Sequence, residues 1–317
     1  MNVVVFGAGS LGSLVGGLLA RDPDHRVTLV GRAAHVERVR ADGLRVSGEL
    51  DATTRPEATT DGTGLRADLA LVTVKAYDTA SAAAALATGD VDLVCSLQNG
   101  LVEEVLEARL GDRVLAGTAT YGAELVGPGH VRCTGVGAVR VGELDGGASE
   151  RAERVARAFR AAGLDCTADA EMPRSRWEKL AVNAGVNAVT ALARVDNGAL
   201  RDPPGADLAA RAARETARVA RANGVDLADD RAVDALTEVV EATAANRSSM
   251  RQDVEAGRRT EADAINGAVA DRGAAAGVET PVNRTLAALV RTWETENAGQ
   301  GGERGDGCDD ADGEPSG

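Results

Sequence analysis

The sequence predicts an α/β protein in two parts: an N-terminal parallel sheet flanked by helices, then an all-helical domain. Three observations carry that reading. Short Val/Leu runs alternate with Ala-rich stretches up to about residue 170, the pattern of buried strands joined by crossover helices. A glycine-rich turn, Gly7-Ala8-Gly9-Ser10-Leu11-Gly12, directly follows the first of those runs. From Ser175 onward the strand pattern almost vanishes.

Val3–Phe6 reads as the first strand and Ser10–Ala20 as the helix after it. Val27–Val30 is the second strand. Leu69–Val74, Val91–Cys95 and Val114–Thr118 are apolar runs of strand length, as strands covered on both faces require. Between Gly129 and Gly142 valine alternates with small residues, which predicts antiparallel strands at a sheet edge. Ser149–Ala162 is an amphipathic helix, and Leu164–Thr167 a last short strand. Ser175-Arg176-Trp177-Glu178 has the form of a capping box and predicts a helix start there. Helices are expected over about 175–193, 205–223, 231–246 and 260–275. Thr280-Pro281, an N-cap followed by proline at the first helical position, opens a last helix to about Glu296. The expected division is 1–170, 171–297, and a Gly- and Asp-rich acidic tail, 298–317, expected to be disordered.

The chain has 317 residues, enough for two ordinary domains, and its aromatic content of 2% leaves the core to Val, Leu and Ala. A net charge of −14 argues against nucleic-acid and anionic-membrane partners, which need basic surface. Only two of the 35 Lys+Arg residues are lysine, and acids outnumber bases 49 to 35. We read this as the composition of a halophilic protein adapted to a salt-rich cytoplasm. Cys95, Cys133, Cys166 and Cys308 form no CxxC, so neither a zinc site nor a disulfide framework is indicated. His25, His35 and His130 lack metal-ligand spacing and are expected in loops or at the surface. Asn2–Phe6 is too short for a signal peptide, and no apolar run approaches a membrane span. A cytoplasmic location is expected.

The glycine turn has the G-x-G-x-x-G form in its telling context, between a strand and a helix. Gly7 permits the turn, Gly9 lets a pyrophosphate approach the backbone, and Gly12 lets helix and strand pack closely. The helix start then offers free N–H groups to phosphate. After the second strand stands Gly31-Arg32, where NAD-preferring folds carry an acid for the ribose hydroxyls. Arginine there suits a 2′-phosphate, which favours NADP(H); Arg32 also reads as plain surface arginine.

The two lysines each sit in a motif. Lys179, Asn183 and Asn187 recur every four residues and share one helical face, a polar wall for a small substrate. Lys75 ends the run Leu69–Val74, and Asn99 lies in Gln98-Asn99-Gly100 after the next strand. Both are then at carboxyl ends of strands, where open parallel sheets bind ligands. Ser249 in Ser248-Ser249-Met250 and Glu261 in Thr260-Glu261 would be about 18 Å apart on one continuous helix. A break near Gly257, with Thr260 as a fresh N-cap, would fold them toward one cleft. Taken singly, Ser249 also reads as a cap and Glu261 as a first-turn carboxylate.

Together these motifs resemble the ketopantoate reductase family over essentially the whole chain except the tail. The glycine turn is common to many families; the Lys-x-x-x-Asn-x-x-x-Asn helix with Ser-Ser-Met and Thr-Glu is far more specific. The resemblance implies a Rossmann domain, an all-helical second domain and a cleft that closes on substrate. It implies reduction of 2-dehydropantoate to (R)-pantoate with NADPH, on the route to pantothenate and coenzyme A, with NADH open because some relatives prefer it. By the same resemblance Lys179 is the general acid and Glu261 its partner, binding the substrate hydroxyl or orienting the lysine. Asn183, Asn187 and Ser249 match substrate-binding positions, Asn99 and Lys75 positions near the nicotinamide, and Arg32 the 2′-phosphate contact. A homodimer is left open. Two rivals stand beside this reading: a related dehydrogenase for another small 2-keto acid, and a non-catalytic NADP(H)-sensing module.

Overall fold

A computed structural model describes residues 1–297. The tail 298–317, expected to be disordered, lies outside the described residues.

The chain begins β1 (Asn2–Phe6), α1 (Ser10–Leu19), β2 (Arg26–Val30), α2 (Ala33–Asp42). Three short strands follow, β3 (Leu44–Gly48), β4 (Ala52–Thr54) and β5 (Glu57–Thr59), then β6 (Arg66–Val72), α3 (Thr79–Leu86), β7 (Asp90–Ser96), α4 (Glu103–Leu110) and β8 (Val114–Ala119). β9 (Gly122–Gly127), β10 (His130–Gly135), β11 (Val139–Gly142), α5 (Glu150–Ala161) and β12 (Cys166–Ala168) complete the first part. The main sheet runs β12-β11-β8-β7-β6-β1-β2-β5. All its pairings are parallel except β8 with β11. Alternate residues feed two cores: Val3, Val5, Leu69 and Leu71 pack on one face, Val4, Ala70 and Val72 on the other. This two-sided burial is why the strands read as unbroken apolar runs.

β1 is flanked by β2 on one side and β6 on the other, so the strand order reverses between β1 and β6. That switch point opens a crevice at the carboxyl ends of both strands.

A second sheet, β4-β3-β10-β9, was not anticipated. The Gly129–Gly142 stretch splits between sheets: β10 pairs antiparallel with β9, β11 antiparallel with β8 in the main sheet. α1 lies between the two sheets. A Cβ on Gly16 would meet Leu29 at 2.5 Å in the main sheet, and one on Gly17 would meet Leu44 at 2.9 Å in the small sheet. His35, expected at the surface, is 5% exposed. Its ring joins Ser13 Oγ (3.2 Å) to the Gly129 N–H (3.1 Å), tying α2 to α1 and the β9–β10 turn.

The remainder is helical: α6 (Met172–Ala193), α7 (Gly205–Ala222), α8 (Asp229–Ala242), α9 (Ser249–Glu255), a π-helical turn Asp263–Gly267, α10 (Ala268–Ala276) and α11 (Pro281–Asn297). α6 starts three residues before the capping-box reading. Pro173 occupies its first turn, where a missing N–H costs nothing. Ser175 instead donates to Asp169 Oδ2 (2.6 Å). A separate core begins at Trp177, whereas the sheet cores end at Cys166. It is alanine-rich, and helices approach closely: a Cβ on Gly185 of α6 would lie 2.9 Å from the Ala209 carbonyl of α7. No described helix is long and apolar enough to cross a membrane.

Candidate active site

The glycine turn leaves β1 at the switch point. Gly7 has φ +113°, and a Cβ there would meet Val74 N at 2.6 Å, so only glycine fits. A Cβ on Gly12 would lie 2.2 Å from Gly7 O and 2.5 Å from Thr73 Oγ1. Gly9 differs: a Cβ there would project into open space, its only neighbour Gly7 O at 4.0 Å. Gly9 is also the N-cap of α1 and supplies no side-chain cap, so the first N–H groups of that helix face the same space. Ala8 is buried against Gly31, Leu11 is half-buried, and Ser10 Oγ accepts from Leu125 N–H (3.1 Å), fastening β9 beside the turn. This cradle fits a dinucleotide pyrophosphate. Arg32 caps α2 by backbone alone, and its side chain is exposed at the end of β2.

Across the crevice, polar side chains form one connected chain. Asn183 Nδ2 donates to Asn99 Oδ1 (3.3 Å), and Asn99 Nδ2 donates to Glu261 Oε2 (3.0 Å). Glu261 Oε1 accepts from the Ala76 N–H (3.0 Å). Lys75 Nζ lies 3.4 Å from Glu261 Oε2 and 2.6 Å from Asp253 Oδ2. Asp253 also receives Arg258 Nε (3.0 Å). Arg259 stacks over the Tyr77 ring at 4.4 Å. Gln98 Nε2 donates to Val74 O (3.0 Å) and Thr79 Oγ1 (2.8 Å), holding the ends of β6 and β7 together.

Glu261 reaches this position because the chain breaks where expected: α9 ends at Glu255 and Gly257 takes φ +63°. Thr260 does not begin a helix. Its Oγ1 accepts from Ala262 N–H (3.1 Å) and the π-helical turn starts at Asp263. Gly100, with φ +85°, lets the β7 loop press on that turn, where a Cβ would meet Ala264 O at 2.5 Å. Asn266 locks the turn to α6 by donating to Ala184 O and Asn283 Oδ1 (both 2.9 Å).

Lys179 is half-buried and lines a small cavity with Gln98, Gly100, Thr118, Glu103 and Arg176. Burial lowers its hold on the proton, and the carboxylates of Glu261 and Glu103 only partly restore it. Lys75 shows the opposite balance. Burial works against its charge too, but Glu261 and Asp253 outweigh it and leave the amine above its ordinary value. The lysine that Glu261 holds here is therefore Lys75; no hydrogen bond joins it to Lys179. Asn187 is 5% exposed, and its Nδ2 has no hydrogen-bond partner among the described residues, a buried donor that a bound molecule could satisfy. Ser249 is exposed and makes no bond to Glu261; the cap of α9 is Ser248, whose Oγ accepts from Arg251 N–H (3.1 Å).

Sequence reasoning missed Asp253, Glu103 and Arg176. Two of them carried a signal. Asp253 shares the buried face of α9 with Met250 and Val254, and Glu103 begins the buried stripe Glu103, Leu106, Leu110 of α4. An acid on an apolar stripe needs a partner.

Residues 3–146 match the family model described as ketopantoate reductase PanE/ApbA, and residues 171–294 the one described as ketopantoate reductase PanE/ApbA C terminal. The 2-dehydropantoate 2-reductase of Halobacterium salinarum is 47% identical over 300 residues, covering 92% of this chain and 98% of that protein. A PanE/ApbA family ketopantoate reductase structure from Ralstonia eutropha superposes with TM-score 0.85 at 35% identity, covering 94% of this chain and 100% of that one. A D-mandelate dehydrogenase with NADH and anilino(oxo)acetate does so with TM-score 0.88 at 25% identity, covering 94% and 99%. Both halves of the family pattern thus occur here in order, on the fold its members share, and the chain belongs to the ketopantoate reductase family.

Proposed function

We propose that this protein is a 2-dehydropantoate 2-reductase. The observation that carries the reading is the hydrogen-bonded chain Asn183–Asn99–Glu261–Lys75, which gathers the polar face of α6, the end of β7 and the π-turn segment at the mouth of the glycine cradle. The division near residue 170 then separates a cofactor domain from a substrate domain, with the reaction between them. The cofactor is a nicotinamide dinucleotide, and we favour NADPH because Arg32 offers an exposed guanidinium where a 2′-phosphate would lie.

A reduced nicotinamide bound at the cradle supplies the hydride that adds to C2 of the keto acid. Negative charge then gathers on the carbonyl oxygen. Lys179 stabilises that charge as an ammonium and gives it the proton, which completes the hydroxyl of (R)-pantoate. Its lowered pKa makes it a stronger acid than an ordinary lysine. Asn187 presents its unpaired Nδ2 to the substrate, and Asn183 and Asn99 orient polar groups beside it. Glu261 accepts the substrate hydroxyl with the carboxylate oxygen that it otherwise shares with Lys75 and Asn99. Ser249, exposed at the start of α9, is retained as a substrate-binding position on the family resemblance alone.

The test is NADPH oxidation with 2-dehydropantoate in molar KCl, the salt chosen for the 49 acidic residues against 35 basic ones. NADH, 2-oxobutyrate and 2-oxo-2-phenylacetate serve as comparisons. The last addresses the second reading, since a D-mandelate dehydrogenase shares the fold. Faster turnover of either comparison acid would move the assignment to another 2-keto acid. No turnover of any acid would leave a sensing module. Lys179→Ala is expected to lower kcat by about 10²- to 10⁴-fold with the NADPH Kd unchanged; equal loss of cofactor affinity would contradict the acid role.

A further inference from the structure

The cavity beside Lys179 contains a charge arrangement that the proposed reaction does not use directly. Glu103, on α4 of the sheet domain, is 1% exposed. Its Oε2 accepts from an Nη of Arg176, whose side chain is 11% exposed. Arg176 is one helical turn before Lys179 on α6, and both line the same cavity of about 10 Å³ with Glu103. That space holds at most one water and no counter-ion. A carboxylate so buried needs a cation, and two cations line its cavity.

We propose that Arg176 is a positioning residue: by engaging Glu103 it keeps that carboxylate from capturing Lys179, which stays free to give its proton to substrate. Arginine suits the task because it does not deprotonate, so the pair is fixed while the lysine titrates. The charged groups facing Lys179 are Glu103 from α4, Arg176 from its own helix and Glu261 from the π-turn segment, the last already shared with Lys75. Only the Glu103 charge would fall to Lys179 if Arg176 were lost. The inference rests on the reading of Lys179 as the acid, and its primary test is independent of turnover.

Lys75 and Lys179 are the only lysines. Lysine labelled with 13C at Cε therefore gives two side-chain resonances, assigned with Lys75→Arg. The Lys179 pKa is expected to rise by about one unit or more in Arg176→Gln, where Glu103 turns to it. It should fall in Glu103→Gln, where Arg176 is left as an unbalanced cation, and return toward the wild-type value in the double variant. The alkaline limb of kcat should follow the same three steps, with the NADPH Kd unchanged. A merely structural pair would lower kcat in both single variants without opposite shifts. Shifts of the same sign, or an unmoved Lys179, would overturn the proposal. If Arg176→Gln does not fold, the double variant Glu103→Gln with Arg176→Gln, which removes the buried pair together, is compared with Glu103→Gln: a Lys179 pKa no higher in the double variant than in Glu103→Gln overturns it. Resonances that move as expected beside an unmoved rate limb would overturn the acid role of Lys179 rather than the pairing.

Discussion

Gly9 and Gly12 belong to one motif, yet alanine at the two positions should fail in different ways. At Gly9 the new methyl meets only Gly7 O at 4.0 Å, and the backbone (φ −85°, ψ −154°) is one alanine adopts without strain. Losing glycine from the unfolded chain contributes about 0.4–1 kcal/mol of stability, and losing a good N-cap costs a similar amount, so the melting temperature should shift by no more than about 3 °C. The methyl would occupy the space proposed for the pyrophosphate. Displacing it from about two N–H groups at about 1.5–3 kcal/mol each weakens NADPH binding by about 10²- to 10⁴-fold. At Gly12 the methyl would fall 2.2 Å from Gly7 O and 2.5 Å from Thr73 Oγ1. Thr73 Oγ1 already donates to Gly7 O at 2.9 Å, so nothing there can yield cheaply. Overpacking of about 1–3 kcal/mol is expected, with a fall in melting temperature of about 2–4 °C per kcal/mol. The assay pairs NADPH fluorescence titration with a thermal melt. A Gly9→Ala protein that bound NADPH within about threefold of wild type would refute the placing of phosphate over Gly9. So would a Gly9→Ala protein that lost stability as Gly12→Ala does.

Arg32→Ala should weaken NADPH by about 10- to 100-fold, the worth of one charge-assisted phosphate contact, and leave NADH within about threefold; equal loss of both would remove Arg32 from the cofactor argument. The two lysines should titrate on opposite sides of the ordinary value of 10.5, Lys179 below and Lys75 above. In the proposed mechanism the reaction needs protonated Lys179, so kcat should fall with rising pH below 10.5; Lys75, raised by its carboxylates, supports folding fully below about pH 10.5 and loses that support only as pH climbs through its higher value. A rate limb at or above the ordinary lysine value would count against burial as the controlling influence. Asn266→Leu leaves Ala184 O and Asn283 Oδ1 without their donor in a fully buried place, and should cost about 2–4 kcal/mol in denaturant unfolding. A loss under about 1 kcal/mol would show that the π turn is not held by this network.

The sheet was legible where burial is two-sided. Leu69–Val74 and Val91–Cys95 stand out because nearly every position is apolar. Strands β3, β4 and β5 were missed because they are short and belong to edges or to the second sheet, where half the residues face solvent. Even so, Leu44 and Val46, both fully buried around exposed Arg45, carry the period-two signal. The start of α6 was misjudged because Ser175 and Glu178 make a capping pattern that Pro173 pre-empts. In the site, spacing along one helix was readable: Lys179, Asn183 and Asn187 do share a face. Pairing between distant segments was not. Nothing local says that Asp253, 178 residues from Lys75, would be its partner, or that Glu261 would take Ala76 N–H rather than Lys179.

That exchange of partners follows from where each lysine is anchored. Lys75 follows β6 by three residues, and the two acids on either side of the break at Gly257, Asp253 and Glu261, both reach it. Its proton is held by two carboxylates and is of little use as an acid. Lys179 rises from α6 into the adjoining cavity, where the buried acid that lines it, Glu103, is already met by Arg176. It is left with burial, which loosens its proton, and with no bonded carboxylate to tighten it again. One positive charge is thus spent on holding the cleft together, and the other is the one that the proposed mechanism uses for transfer. The assignment depends on which carboxylates each amine can reach and not on the amines themselves. Exchanging the acids, with Asp253→Asn to take one of its two carboxylates from Lys75 and Arg176→Gln to hand Glu103 to Lys179, should therefore bring the two lysine pKa values toward each other, and a variant in which they stayed as far apart would refute this assignment of Asp253 and Glu103 to the two amines.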